Sequence, residues 1–159
     1  MRKVLYVLGA LFLVLIVGVG TLVGVTAYKG AALDKESARY VDDAVVSIVA
    51  HWNKGELLSR ATPGFKKVTS ADQLASFFDA VSGALGPLVD YEGSKGEATI
   101  KTMIGSGTTI TAVYKARAKF QKGTAEFTLT LVKVDDIWMI DGFHVGSDQV
   151  MTNVIGRGS

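Results

Sequence analysis

The spacing of apolar residues changes character along this chain, and each change predicts an element. Residues 4–28 form an unbroken apolar run between the cations Arg2, Lys3 and Lys29. Residues 34–54 then place Tyr40, Ala44, Ile48 and Trp52 four apart, flanked by Val41, Val45 and Val49, with Glu36, Asp43, Ser47 and His51 on another side. That period predicts an amphipathic helix closed by Gly55. A short turn of helix is expected over 56–61, and Thr62-Pro63-Gly64 redirects the chain. Ser70 followed by Gln73 has the form of a capping box. Leu74, Phe77, Phe78 and Val81 continue it at helical spacing, and Gly86-Pro87 ends that helix.

Beyond Pro87 the period drops to two. Ile110, Ala112, Tyr114, Ala116, Ala118 and Phe120 alternate with Thr111, Val113, Lys115, Arg117 and Lys119, which predicts a strand with one buried face. A turn at Lys122-Gly123 sets Ala118 beside Phe127, Ala116 beside Leu129 and Tyr114 beside Leu131. A second turn at Asp135-Asp136 sets Trp138 beside Lys133, Ile140 beside Leu131 and His144 beside Phe127. Shorter strands are expected over 88–91 and 96–104, with Gly105-Ser106-Gly107 as a loop. Two helices followed by an antiparallel meander define an α+β fold, with helices packed on one face of a curved antiparallel sheet. The predicted organisation is an N-terminal transmembrane anchor over 1–29, a linker over 30–33, an α+β domain over 34–148 and a C-terminal tail over 149–159.

At ~1.5 Å per residue, the run over 4–28 exceeds the ~30 Å hydrocarbon core of a bilayer. It therefore reads as a membrane span. A cleaved signal peptide is the alternative, since Val25-Thr26-Ala27 offers small residues for cleavage. Arg2 and Lys3 ahead of the span predict a cytoplasmic N-terminus and a C-terminal domain outside an inner membrane, periplasmic or extracellular. Gly20 and Gly24 form a GxxxG, a surface on which a second helix packs closely.

Charge adds little once the anchor is set aside. The chain has 17 Lys+Arg against 15 Asp+Glu; without Arg2, Lys3 and Lys29 the remainder has 14 against 15. Nothing calls for a nucleic-acid partner. The chain has no cysteine, so the fold relies on no disulfide.

Long N-terminal helix, shorter helices, and antiparallel strands ending in Trp138, Ile140, Phe143 and Val145 after Phe127, Leu129 and Leu131 together resemble the nuclear transport factor 2-like, or cystatin-like, α+β cone. The resemblance covers about residues 34–148. It implies a cavity between helices and sheet, used by some members for isomerase or dehydratase chemistry and by many anchored bacterial members only for binding or assembly. The layout is also similar to the inner-membrane subunit of type IV secretion systems, but the Asn-Pro-x-Gly motif of that family is absent.

Candidate chemistry is sparse. The two histidines are His51, on the polar side of the first helix, and His144. The predicted register puts His144 on the helix-facing side of the sheet with Tyr114, Trp138 and Phe127, making these four the ligand-cavity candidates. No carboxylate shares that face, so proton transfer by His144 would need an acid from a helix or the first strand. No metal-ligand cluster, nucleotide-binding loop or nucleophile motif occurs, and neither metal nor cofactor is expected. The opposite face carries Val113, Val132, Met139, Phe143 and Val145, an apolar zone that predicts an interface with a second copy or an envelope protein. The alternative cover is the segment 148–155 folding back. The reading from sequence is thus a membrane-anchored, non-enzymatic binding or assembly module; the other reading is a small-ligand or isomerase-like cone using His144 and a tyrosine.

Overall fold

A computed structural model describes residues 29–103 and 107–147. The predicted span, with Gly20 and Gly24, and the C-terminal segment lie outside the described residues. No helix among the described residues is long and apolar enough to cross a membrane. The chain divides into two compact units, Met1–Leu33 and Asp34–Ser159. Of the first, residues 29–33 are described and are helical.

The second unit has α1 (residues 34–49), α2 (Lys54–Arg60), α3 (Pro63–Val68) and α4 (Ala71–Leu85), then β1 (Leu88–Met103), β2 (Gly107–Phe120), β3 (Gly123–Val134) and β4 (Ile137–Gly146). The strands form one antiparallel meander in the order β1-β2-β3-β4. This is an α+β fold with helices packed on a four-stranded sheet.

α1 buries Val41, Ala44, Val45, Ile48 and Val49, the stripe expected from its sequence. It ends earlier than Gly55. Asn53 N–H donates to the Ile48 carbonyl at 2.9 Å, and Trp52 takes the left-handed position, φ 50, where glycine is usual. A bulky residue is held there because its ring is locked by packing: Trp52 lies 5.4 Å from Phe78 and stacks on Phe120 at 5.7 Å, centroid to centroid. The freed stretch lets Asn53 cap α2, its side chain accepting from Glu56 N–H at 3.2 Å.

Thr62-Pro63-Gly64 opens a helix as well as redirecting the chain. Thr62 Oγ1 accepts from Phe65 N–H at 3.1 Å, and Pro63 sits in the first turn of α3, where its missing N–H costs nothing. Ser70 Oγ caps α4 by accepting from Gln73 N–H at 3.1 Å. Gly86, φ 73, closes α4, and its N–H donates to the Ser82 carbonyl at 2.8 Å.

Three sequence expectations about the sheet are corrected. β1 is one 16-residue strand rather than two, irregular where Leu88/Asp90 and Tyr91/Gly93 shift register. The β2–β3 turn is Gln121-Lys122, so Ala118 pairs with Ala125, Ala116 with Phe127 and Tyr114 with Leu129. That is a two-residue slide, which preserves the faces and changes the partners. Its cause is tertiary: Gln121 N–H donates to the Pro87 carbonyl and Lys122 N–H to the Leu85 carbonyl, both at 2.9 Å, pinning the turn to the end of α4.

The third correction matters most. Asp135 and Asp136 both have positive φ, 48 and 66, and make the tight turn expected there. The predicted register then holds through Trp138–Lys133 and Ile140–Leu131. Next, Thr130 pairs with Gly142, leaving Asp141 as an extra residue in β4. This bulge reverses the facing of everything after it. His144 pairs with Thr128, not Phe127, and is exposed on the outer face, whereas Phe143 and Val145 turn toward the helices.

Candidate functional site

The helix-facing side of the sheet is lined by buried side chains. Phe127 is fully buried at the centre of an aromatic cluster, 5.9 Å from Phe143 and 6.2 Å from both Phe120 and Trp52. Tyr114 is buried, with its hydroxyl donating to the Asp34 carbonyl at 2.9 Å and lying 2.9 Å from Ser37 Oγ. Burial raises its pKa and keeps the phenol neutral. Gly96 makes room for this ring: a Cβ there would collide with the Val113 carbonyl and approach Tyr114 Cγ to 2.8 Å. Trp138 is buried beneath Lys133, whose Nζ lies 5.6 Å from the indole centroid.

Charged groups on this side are engaged in holding the helices. Lys133 Nζ reaches Glu36 of α1 at 2.9 Å and Asp136 at 3.0 Å; chiefly the bond to Glu36 raises its pKa. Asp42 of α1 accepts from the Tyr91 hydroxyl at 2.8 Å and from Ser94 Oγ at 2.6 Å. Burial first, then the Asp42 carboxylate, pushes the Tyr91 pKa well above the ordinary phenol value. Arg60 bridges Glu56 at 2.7 Å and Asp43 at 2.9 Å, and the two carboxylates outweigh burial to raise its pKa. The Asp34 carboxylate accepts from Ala98 N–H at 2.7 Å, covering a donor of β1.

The four cavity candidates do not converge on one site. Tyr114, Trp138 and Phe127 are core residues on one face; His144 is on the other. Proton transfer by His144 with a tyrosine is not supported by this placement.

Two features stand open among the described residues. The first is a cleft of about 230 Å³ bounded by Leu57 of α2, Phe65 of α3, Thr69 after it, Gln73, Leu74 and Phe77 of α4, and Phe143 of β4. It contains no titratable side chain. The Asp141 bulge builds it by turning Phe143 inward. The bulge is itself tied to α3: Thr62 Oγ1 donates to Asp141 Oδ1 at 2.7 Å, and Thr62 N–H donates to the Ile140 carbonyl at 2.9 Å.

The second is the outer sheet face, which has two zones. In one, the cations of β2 are cross-paired: Lys115 with Glu126 at 3.1 Å, and Arg117 and Lys119 with Glu92 at 3.3 and 3.1 Å. In the other, register makes Val113, Val132, Val134, Ile137 and Met139 neighbours, through the pairs Val132–Met139, Val134–Ile137 and Thr111–Val132. Val113 is 52% exposed, Val134 44% and Ile137 65%. Val132 and Met139 are half-buried. Phe143 and Val145, the other two interface candidates, are not part of this zone.

Among the described residues no group of three or more His, Cys, Asp or Glu is placed to hold a metal. No protein-family model matches the chain, no curated protein matches it, and no solved structure matches it.

Proposed function

We propose that this chain is a single-pass membrane-anchored module of the cell envelope, non-enzymatic, whose exported α+β domain assembles with a second copy through the outer face of its sheet. The observation that carries the reading is the aliphatic zone of Val113, Val134 and Ile137, exposed among the described residues on a sheet whose helices pack on the other side. A contiguous apolar patch on a sheet face is costly to solvate and is characteristic of association surfaces. The neighbouring charges offer no obstacle to self-association, because Lys115, Arg117 and Lys119 are already matched by Glu126 and Glu92. Confinement of the apolar run over 4–28 to a bilayer raises the effective concentration of one copy near another. The same layout supports placing the domain with the nuclear transport factor 2-like cones, as a binding or assembly member rather than a catalytic one.

The absence of cysteine gives a clean test. Ile137→Cys in the full chain, in membranes, is expected to yield a dimer on treatment with a short bismaleimide. His51→Cys, exposed on the polar side of the helical layer, is the control. Equal cross-linking at both positions, or none at position 137, counts against the proposal.

A further inference from the structure

Ser147, where the described part of the domain ends, stands four residues beyond Phe143 of β4, and the chain continues from there. Phe143 is one wall of the cleft, with Leu57, Phe65, Leu74 and Phe77. At ~3.3 Å per residue, Ser147 and Phe143 are about 13 Å apart along the strand. The segment that follows is Asp148-Gln149-Val150-Met151-Thr152-Asn153-Val154-Ile155. It can cover that distance in reverse by either of two routes. A two-residue turn followed by about four extended steps of ~3.3 Å does so; so do about eight helical residues at ~1.5 Å each. Both bring Val154 and Ile155 level with Phe143.

The outer aliphatic zone, the other surface this segment could cover, is harder to reach. Met139, its nearest member on β4, lies eight residues back from Ser147, about 26 Å along the strand. Val113 is two strands in, at the level of Gly142, about 19 Å away for strands ~4.8 Å apart. Six extended residues after a two-residue turn span at most about 20 Å, so only the end of the segment could touch that zone.

Chemistry makes the same choice. The cleft is lined by aliphatic and aromatic side chains and two neutral polar ones, Thr69 and Gln73. Charges at its edge have both signs: Lys66 beside Phe65, Asp72 beside Gln73, and Asp141 two residues before Phe143. They select no ion. Residues 149–155 carry no charge, and Val150, Met151, Val154 and Ile155 supply aliphatic side chains. The cleft, about 230 Å³, exceeds the ~150 Å³ apolar cavity that accepts benzene, which leaves space for side chains of this size. Phe77, 38% exposed, gains cover when they enter. Attachment to β4 gives the segment a high effective concentration at the cleft, an advantage over any free ligand of like chemistry.

We infer that the cleft receives residues 150–155 of this same chain, with Val154 and Ile155 against Phe77 and Phe143. The segment then covers the helical layer at its open edge and leaves the outer sheet face to a second copy.

The test uses paired cysteines in the full chain in phosphatidylcholine nanodiscs, since the chain has none of its own. Thr69, half-buried in the lining of the cleft, is the reporter position. Thr69→Cys/Val154→Cys is expected to form an intramolecular link with bismaleimidoethane, read by mass spectrometry of peptides from the monomer band. Ile137→Cys/Val154→Cys, which probes the outer zone, is expected to give no such link. With Thr69→Cys alone, adding Val154→Asp and Ile155→Asp should raise the rate of maleimide modification several-fold, while the rate at Ile137→Cys stays unchanged by the same pair. A 137–154 link in place of 69–154, a 69–154 link found only in the dimer band, or a modification rate at position 69 insensitive to the two aspartates would overturn the inference.

Discussion

The two faces of this sheet are built from the same strands and obey opposite rules. On the helix-facing side, Ala112, Tyr114, Ala116, Ala118, Phe127, Leu129, Leu131 and Ile140 are buried; the Tyr114 hydroxyl and the Lys133 ammonium are bonded to α1, while the indole N–H groups of Trp52 and Trp138 are buried without a partner among the described residues. On the other side, paired charges and exposed aliphatics share the surface without a covering layer among the described residues. The lesson concerns where function is carried. Packing consumes most of the side chains of the inner face and leaves two indole N–H groups unpaired. The outer face and the cleft at the edge of the helical layer keep apolar surface that packing has not used.

Substitutions should separate these regions by magnitude. Phe127→Ala removes the centre of the aromatic cluster and should cost about 3–5 kcal/mol in denaturant unfolding of residues 30–159. Val113→Ala on the outer face should stay within about 0.5 kcal/mol. Next in size, Gly96→Ala drives a methyl into the Val113 carbonyl and the Tyr114 ring; a loss of about 1–3 kcal/mol is expected by the same measurement. Thr62→Ala removes both the α3 cap and the bond to Asp141. It should cost about 1–2 kcal/mol, and the amides of β4 near the bulge should exchange faster with solvent.

A smaller effect tests the electrostatics of the inner side. Folded-state pKa values above the ordinary ones at Tyr91, Tyr114 and Lys133 mean that their contribution is fully present below about pH 10. It is lost as pH rises through the folded values, because the unfolded chain releases its protons first. Melting temperature should therefore fall above about pH 10. Tyr91→Phe should blunt that fall while costing about 1 kcal/mol at neutral pH for its bond to Asp42. Smallest of all, His144→Ala should change stability by less than about 0.5 kcal/mol and leave association intact. A large effect there would restore His144 as a functional group.

Much of this division is legible in the sequence. The α1 stripe, the Ser70 cap, the alternation in β2 and the Asp135-Asp136 turn are local, and local patterning decides them. The β2–β3 turn is not, because sliding by two residues leaves the alternation satisfied; only the docking of Gln121 and Lys122 on the end of α4 selects it. The bulge left a signal that a single-phase reading passes over. Trp138 and Ile140 occupy one parity and Phe143 and Val145 the other, with Asp141-Gly142 between them. The phase change is the bulge. Keeping one phase puts His144 inside and Phe143 outside, which moves both the candidate cavity and the candidate interface. The cleft has no sequence pattern, since its walls come from four elements that only folding brings together.

The central claim is that the outer face is an association surface, and sedimentation velocity of residues 30–159 tests it most directly, with wild type run beside Val113→Lys and Ile137→Lys. The account predicts a concentration-dependent dimer for wild type and folded monomers with unchanged melting for both variants. A wild type that stays monomeric, or variants that associate as well as wild type, would contradict it.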